Sequence, residues 1–300
     1  MAVNDKNAKG EKQEWVLGVI GGSGLYEIDG LEDKRWVSVD TPWGSPSDQL
    51  LTGVLGGVKL VFLPRHGRGH PIPPSGLNFR ANIHALKALG CTDILSVSAV
   101  GSLREDLHPG MFVAVDQFID RTFAREKSFF GEGLVAHVSM AHPVCARLSD
   151  LALKAARAAG AATVDGGTYL VMEGPQFSTK AESELYRQWG CDVIGMTNMP
   201  EAKLAREAEL PYASVCMVTD YDCWHETAGP VEIGDVLKVL HDNAAKARDV
   251  VRRLAGKLTG PREPSPIDTC LEFAIVTPPE ARDPELVAKL DAVAGRVLGR

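Results

Sequence analysis

Short apolar runs alternate with amphipathic stretches along most of the chain. Runs of about four to eight apolar residues predict buried strands, whereas apolar positions three and four apart predict helices. The predicted strands are 15–20, 59–63, 93–97, 111–115, 168–172, 193–196 and 213–218. The predicted helices are 78–89, 143–159, 179–189, 200–209 and 233–258. This alternation predicts an α/β fold in which helices flank a central mixed β-sheet.

The region 15–258 contains no stretch that reads as a linker, so we expect it to form a single domain. Residues 1–14 are polar and charged, lack the apolar segment of a signal peptide, and predict a disordered tail. Residues 259–300 begin with a proline-rich connector and end with a short amphipathic helix. A lone helix of this size has to dock, either on the same domain or on a neighbouring subunit.

The 300-residue chain carries a formal net charge of −7, which argues against nucleic acid or an anionic membrane as a partner. No apolar run approaches the ~20 residues that a membrane helix needs. The six cysteines are scattered, without a CxxC pair or zinc-like spacing, so no structural metal is predicted. Free thiols in apolar surroundings are typical of a reducing cytosol, and we expect a cytoplasmic protein.

Three predicted strands run into segments that combine glycine with hydroxyl or cationic side chains. Ser23 lies in GGSG, Arg65 and His66 lie in PRHG, and Ser98 and Ala99 lie in SAVG. Glycine lets backbone N–H groups approach an anion closely, and the arginine fork matches phosphate oxygens. Three such loops that converge would form a cage for free phosphate or a phosphoryl group.

Each of these segments also has a plain structural interpretation. GGSG is typical of a tight turn, Arg65 of a surface ion pair, and His66 of a hydrogen-bonded structural histidine. GGSG does not fit the dinucleotide fingerprint, because no glycine falls three residues after Gly24, and it lacks the lysine of a nucleotide-triphosphate loop. The combination of the three segments favours an anion site more than any one of them does.

Two aspartates follow the predicted strand 213–218. Asp220 and Asp222 lie two residues apart, so in an extended chain both face one side of a strand end, where α/β proteins bind ligands. We interpret them either as a carboxylate pair in a pocket or as turn and helix-cap residues. A carboxylate pair suits proton donation, because a second carboxylate nearby raises the pKa of the first.

The segments around these residues carry a resemblance to a known family. They are GVIGGSGLYE (18–27), DTPWGSPSD (40–48), RHGRGH (65–70), SAVGSLRED (98–106), DQFIDRT (116–122), EGPQFSTKAES (173–183), MTNMPEAKLARE (196–207) and TDYDCW (219–224). In this order the chain resembles the trimeric purine nucleoside phosphorylase family, and within it the branch that acts on S-methyl-5′-thioadenosine. The resemblance implies a nucleoside phosphorylase fold and a homotrimer with active sites at the subunit interfaces.

The resemblance also implies roles for individual residues. The phosphate contacts of the family map onto Ser23, Arg65, His66, Ser98, the Ala99 backbone and Thr197. The nucleoside contacts map onto Met196 at the ribose, Phe177 and Ser178 at the base, His137 reaching the 5′ end from the adjacent subunit, and Ile233 and Leu237 around the 5′-methylthio group. Ile233 also heads an amphipathic helix, so plain core packing is its alternative. Inorganic phosphate is the implied co-substrate, and no cofactor is implied.

On this resemblance Asp220 is the candidate acid that protonates purine N7, and Asp222 is its orienting partner. Which of the two carboxyls holds the proton is left open. Relatives that use 6-oxopurines have asparagine in place of Asp220 and glutamate in place of Ser178, so this chain matches the adenine type.

We therefore expect phosphate-dependent cleavage of S-methyl-5′-thioadenosine to adenine and 5-methylthioribose 1-phosphate, in purine and methionine salvage. The alternatives are a general adenosine or purine nucleoside phosphorylase, a water-using nucleosidase, and a non-catalytic binding module.

Overall fold

The structure is a computed structural model that describes residues 14–22, 24–225 and 232–299, apart from the side chains of residues 235, 240 and 242. Ser23 and most of the predicted tail lie outside the described residues. The described strands are β1 (Val16–Gly21), β2 (Glu32–Val37), β3 (Leu50–Leu55), β4 (Val58–Pro64), β5 (Asp93–Ser102), β6 (Phe112–Val115), β7 (Gln117–Asp120), β8 (Thr163–Asp165), β9 (Thr168–Val171), β10 (Val193–Gly195) and β11 (Tyr212–Asp220). The described helices are α1 (Phe79–Ala88), α2 (Ala146–Ala158), α3 (Lys180–Gln188), α4 (Asn198–Glu207), α5 (Ile233–Ala255), α6 (Pro284–Lys289) and α7 (Asp291–Leu298).

All of these strands belong to one mixed sheet, in which β5 is the branching strand. One path through the sheet runs β2-β3-β4-β1-β5-β10-β9-β7, and β11 joins β5 to β6 and β8. The strands β4, β1, β5 and β11 are mutually parallel, whereas β10 runs antiparallel to the end of β5. The carboxyl ends of these four parallel strands therefore lie at one edge of the sheet. Strand β10 begins at that edge and runs in the opposite direction.

Helices cover both faces of the sheet. Alternate residues of one strand point to opposite faces, and Ile20 and Val19 of β1 accordingly join different apolar clusters. The cluster of Ile20 packs against α1, α4 and α7, and the cluster of Val19 packs against α2 and α5. The expectation of one α/β domain with a mixed sheet flanked by helices is confirmed.

The polar edge of the sheet was not predicted from the sequence. Strand β2 reads EDKRWV and is exposed along most of its length, so it shows no apolar run. It pairs antiparallel with β3, which pairs with β4. No helix in the described part of the chain is long and apolar enough to cross a membrane.

The C-terminal segment packs against the domain of the same chain. It forms two helices, α6 and α7, rather than one, and Leu290 lies at their junction with no exposed surface. Leu290 and Val293 pack in the same apolar cluster as Leu86 of α1. Arg296 also forms two hydrogen bonds with Glu209, at 2.7 and 2.8 Å.

A buried ion-pair cluster holds the connector that leads to this segment. Asp93, at the start of β5, has no exposed surface, and one of its oxygens accepts a hydrogen bond from Arg262 Nε at 2.5 Å. Its other oxygen accepts from Arg147 Nη2 at 2.5 Å, and Arg262 also binds Asp268 at 2.6 Å. Arg262 therefore joins the connector to the first residue of the central strand.

We expect Arg262→Ala to lower the free energy of unfolding by about 3–5 kcal/mol, because it removes one partner of a buried carboxylate. The matched control is Lys154→Ala, which breaks the exposed pair with Asp150 and should change stability by less than about 1 kcal/mol. Denaturant unfolding of the two variants measures the difference. Equal losses in the two variants would contradict a structural role for the cluster.

Candidate active site

The predicted site residues gather at the edge where the parallel strands end. Arg65 follows β4, Ser98 and Ala99 lie in the second half of β5, and Asp220 is the last residue of β11. Ser23, which follows β1, lies outside the described residues. Strand β10 runs antiparallel to the end of β5, so the chain moves from Ser102 back toward Ser98 as it passes along β10. Thr197, which follows β10, therefore lies beside Ser98.

The SAVG segment is strand and not loop. The sequence predicted a strand that ends at 97, but β5 continues to Ser102 and pairs with β11 as far as Gly101. Small residues allow this, because a Cβ on Gly101 would lie 2.8 Å from Asp220 Oδ1. The strand therefore carries Ser98 and the close approach to Asp220 on one continuous backbone.

Arg65 forms a buried ion pair and not a surface one. Its side chain is 3% exposed, and its Nε and Nη2 donate to the two oxygens of Glu201 at 2.9 and 3.1 Å. Nη2 also donates to Ser96 Oγ at 2.6 Å, and Nη1 donates to Val97 O at 3.1 Å. Burial alone lowers the pKa of this guanidinium, but the Glu201 carboxylate raises it above its ordinary value. Arg65 is thus a permanent, fixed cation.

His66 is neutral near neutral pH. Burial lowers the pKa of its imidazole to about 4. The hydrogen bond to Ile72 O raises this pKa, and the positive charge of Arg65 lowers it further. That bond is 2.8 Å long and uses Nδ1. Since a carbonyl oxygen only accepts, Nδ1 carries the proton and Nε2 is an acceptor. The ring stacks on His70, with centroids 4.1 Å apart.

The hydroxyl groups expected at the anion site are brought together. Ser98 Oγ and Thr197 Oγ1 lie 3.1 Å apart, and Ser98 donates to Asn198 Oδ1 at 2.9 Å. Thr197 is the N-cap of α4, but its hydroxyl makes no capping bond. The Thr197 hydroxyl instead donates to Asn198 Oδ1 at 3.3 Å, beside Ser98.

The two aspartates differ in environment. Both oxygens of Asp220 accept hydrogen bonds, from Thr219 Oγ1 at 2.7 Å and from the Asp222 backbone N–H at 2.8 Å. Asp222 has a left-handed backbone (φ 52°), is 4% exposed, and its Oδ2 has no hydrogen-bond partner among the described residues. Burial raises the pKa of the Asp222 carboxyl; Ser183 beside it opposes this shift, and the charge of Asp220 adds to it.

The segment that precedes α3 lies beside these carboxylates. Ser178 is 9% exposed, and its carbonyl oxygen accepts a contact of 3.3 Å from the Cys223 thiol, next to Asp222. Phe177 is 44% exposed, so its ring is available to a ligand. Met196 packs against Gly174, where a Cβ would lie 2.5 Å from its sulfur. This segment, with Met196, connects the hydroxyl groups to the carboxylates.

The two groups of polar side chains lie along the paired ends of β5 and β11. Ser98 and Gly101, which contacts Asp220, are three residues apart on β5, a distance of about 10 Å along a strand. A cation and hydroxyl groups thus lie at one end, and a carboxylate pair with an aromatic ring lies at the other. This spacing suits a ligand with an anion under the sugar and a base at the carboxylates.

Three predicted residues are not brought into this group by the chain itself. His137 lines a separate depression of 410 Å³, together with Lys203 and Glu207. Ile233 and Leu237 lie in the first turns of α5 and are 62% and 57% exposed. The alternative of core packing therefore does not describe Ile233 in this chain.

Sequence reasoning missed the polar partners behind the site. Glu201 binds Arg65 and also accepts from Tyr212 OH at 2.7 Å, and Asn198 accepts from Ser98. Both residues lie in the segment MTNMPEAKLARE, which was quoted for the resemblance without a role for them. Glu201 lies just inside the predicted helix 200–209 and Asn198 just before it, and these polar positions were the available signal.

The low pKa of His66 generates a pH prediction. Its ordinary pKa is about 6.5, so between pH 6.5 and 4 the unfolded chain binds a proton that the native protein does not. The native state is therefore destabilised as the pH falls through this window, by up to about 3 kcal/mol. In His66→Gln this contribution is absent, so the variant should lose less stability than the wild type between about pH 7 and 4.5. Denaturant unfolding at both pH values measures it, and parallel losses would contradict the assignment.

Comparison with known proteins agrees with this geometry. The family model described as Phosphorylase superfamily matches residues 16–255. The S-methyl-5′-thioadenosine phosphorylase of Cereibacter sphaeroides is 64% identical over 285 residues, covering 94% of this chain and 98% of the relative. The protein of the same name from Rhodospirillum rubrum is 62% identical over 286 residues, covering 95% and 97%.

Solved structures with the same fold are also methylthioadenosine phosphorylases. A methylthioadenosine phosphorylase from an Antarctic soil metagenomic library superposes with a TM-score of 0.89 at 47% identity, covering 94% of this chain and 99% of that one. The Schistosoma mansoni methylthioadenosine phosphorylase in complex with adenine superposes with a TM-score of 0.76 at 35% identity, covering 94% and 98%. With relatives this similar over nearly their whole length, the chain belongs to the phosphorylase superfamily, in its methylthioadenosine phosphorylase family.

Proposed function

We propose that the protein cleaves S-methyl-5′-thioadenosine with inorganic phosphate, releasing adenine and 5-methylthioribose 1-phosphate. The observation that carries the proposal is the spacing on β5, where Ser98 and Gly101, the residue beside Asp220, are about 10 Å apart along the strand. We call Arg65, His66, Ser98, Ala99 and Thr197 the anion cradle. The relatives named for this reaction support the choice of substrate. The reaction serves purine and methionine salvage, and phosphate is its co-substrate without any cofactor.

The cradle supplies the nucleophile. A phosphate held by Arg65, His66, Ser98, Ala99 and Thr197 presents an oxygen under C1′ of the ribose, and positioning makes its attack effectively unimolecular. The bond between C1′ and N9 breaks as the phosphate oxygen bonds to C1′, and its electron pair passes to the purine. The phosphate charge stabilises the cationic sugar of the transition state, which is where catalysis requires binding to be strongest.

The carboxylate pair supplies the proton. A purine that leaves as an anion is stabilised by protonation at N7, and a carboxyl with a raised pKa can donate that proton. Asp220 and Asp222 lie side by side, because the Asp222 backbone N–H donates to Asp220 Oδ1 at 2.8 Å. Phe177 packs on the base in this arrangement, Ser178 lies beside it, and Met196 lies against the ribose.

The 5′ end is completed by a second copy of the chain in our proposal. Ile233 and Leu237 are apolar, exposed and one helical turn apart, which suits a methylthio group better than a hydroxyl that would lack a partner. His137 lies in its separate depression, and Phe273 beyond it is 97% exposed. A cytoplasmic homotrimer that brings His137 of one subunit to the 5′ end of the next would cover these surfaces.

We expect purified protein to release adenine from S-methyl-5′-thioadenosine only when phosphate is present, because the cradle holds an anion as the nucleophile. Product analysis with and without phosphate tests this, and adenosine and inosine under the same conditions test the preference for the 5′ group and the base. Equal release in phosphate-free buffer would favour the water-using nucleosidase. Binding without any release would favour the non-catalytic module.

We expect Asp220→Asn and Asp222→Asn each to lower kcat/KM for S-methyl-5′-thioadenosine by roughly 10²–10⁴-fold, because each removes a carboxyl from the pair that protonates N7. The control is Asp150→Asn on the exposed face of α2, which should keep the wild-type constants.

An analogue whose leaving group is already a stable anion, such as nitrophenolate, identifies the acid. The variant that lacks the acid should retain its rate on that analogue. A loss of equal size on both substrates in both variants would contradict proton donation by the pair.

A further inference from the structure

We propose that Asn198 is a positioning residue for the anion, acting through the hydroxyl groups of Ser98 and Thr197. The inference rests on the proposed function, since it concerns the phosphate that the reaction consumes. Asn198 has no exposed surface, so it cannot touch a ligand that enters from solvent without first displacing these two side chains. Its effect on the anion must therefore pass through them.

Asn198 lies over a row of small polar side chains. Ser96 and Ser98 are two apart on β5 and share one face, and Ser214 of β11 is in register with Ser96. The Asn198 Nδ2 group donates to Ser214 Oγ at 2.5 Å, while its Oδ1 accepts from Ser98 Oγ at 2.9 Å. Ser96 Oγ and Thr197 Oγ1 each donate to the same oxygen at 3.3 Å. One amide thus connects four hydroxyl groups from two strands and the turn before α4.

The count of lone pairs gives this amide a function. An amide oxygen has two lone pairs, whereas three hydroxyl groups lie within 3.3 Å of Asn198 Oδ1. Ser96 Oγ already accepts from Arg65 Nη2 at 2.6 Å, so its own proton is directed to Asn198. Ser98 and Thr197 can then turn their protons to an anion while Ser96 keeps the amide oxygen satisfied. Ser98 lies nearer to this oxygen than Thr197 does, at 2.9 against 3.3 Å, and Thr197 Oγ1 lies 3.1 Å from Ser98 Oγ.

This arrangement also explains why the hydroxyl groups lie ready for the anion. A buried hydroxyl without a partner is costly and tends to be satisfied elsewhere in the fold. Asn198 satisfies Ser98 in the absence of an anion without drawing it away from the strand end. The anion therefore meets donors whose positions are already set, which is how a supporting residue raises affinity.

The test uses Asn198→Asp, which keeps the shape of the side chain. A carboxylate holds hydroxyl protons more strongly than an amide and repels the anion across the two hydroxyl groups. We expect KM for phosphate to rise by about 10–100-fold, the range seen when partners of metal ligands are removed. KM for S-methyl-5′-thioadenosine and kcat at saturating phosphate should stay at the wild-type values, which a general structural defect would not spare.

The matched control is Asn243→Asp in α5, another buried asparagine, which is 5% exposed and hydrogen-bonds to Val239 O. It should leave KM for phosphate unchanged. Ser214→Ala is the gentler variant: it removes only the partner of the Asn198 amide nitrogen and should raise KM for phosphate in the same direction by a smaller factor. A thermal shift with inorganic phosphate alone provides a second readout, because stabilisation depends on the ratio of phosphate concentration to Kd.

Each outcome decides the inference. An unchanged KM for phosphate in Asn198→Asp overturns it, and so does a parallel change in all constants, which marks a merely structural residue. If Asn198→Asp does not fold, Ser214→Ala decides, and a wild-type phosphate constant in that variant overturns the proposal. If the wild type itself releases adenine without phosphate, the proposed function has failed, and the role of Asn198 falls with it.

Discussion

The bidentate ion pair between Arg65 and Glu201 is the interaction on which the proposed anion cradle depends. Burying two charges is expensive, and a pair of this kind persists only when its geometry is good and its remaining donors are satisfied. Both side chains are 3% exposed, and Ser96, Val97 and Tyr212 supply the further hydrogen bonds. The pair joins the end of β4 to α4 across β5 and β11, so the elements that form the cradle cannot shift independently.

The same pair changes how an anion has to be held. Because Glu201 balances the charge of Arg65 before any ligand arrives, much of the attraction for phosphate must come from oriented dipoles. His66, with a pKa of about 4, adds no charge at neutral pH. In the proposed reaction the hydroxyl groups of Ser98 and Thr197 would thus carry more of the phosphate binding than their neutral chemistry suggests. Their fixed positions matter for the same reason, because an O–H group attracts an anion strongly only when it points toward it.

The sequence was sufficient for the parts of the fold that local pattern controls. Apolar runs located β1, β4 and β11, and the fold brings Ser98 and Thr197, both assigned to phosphate by the resemblance, within 3.1 Å of each other. Strand β2 was not predicted, because most of its side chains are exposed and polar and give no apolar run. The ion-pair partner of Arg65 was not predicted for another reason. Glu201 lies 136 residues from Arg65 in the sequence, and no local pattern indicates which buried carboxylate pairs with which cation.

The asymmetry of the carboxylate pair follows from local structure that only the fold displays. Asp220 accepts hydrogen bonds on both oxygens, whereas Asp222 leaves one oxygen without a partner among the described residues and has a pKa raised by burial. One member of the pair thus tends to accept and the other to donate. The edge of adenine presents the matching pattern, with an N–H donor at the exocyclic amine and an acceptor at N7. A 6-oxopurine presents two acceptors at the same edge, and a pair that shares a single proton can serve only one of them.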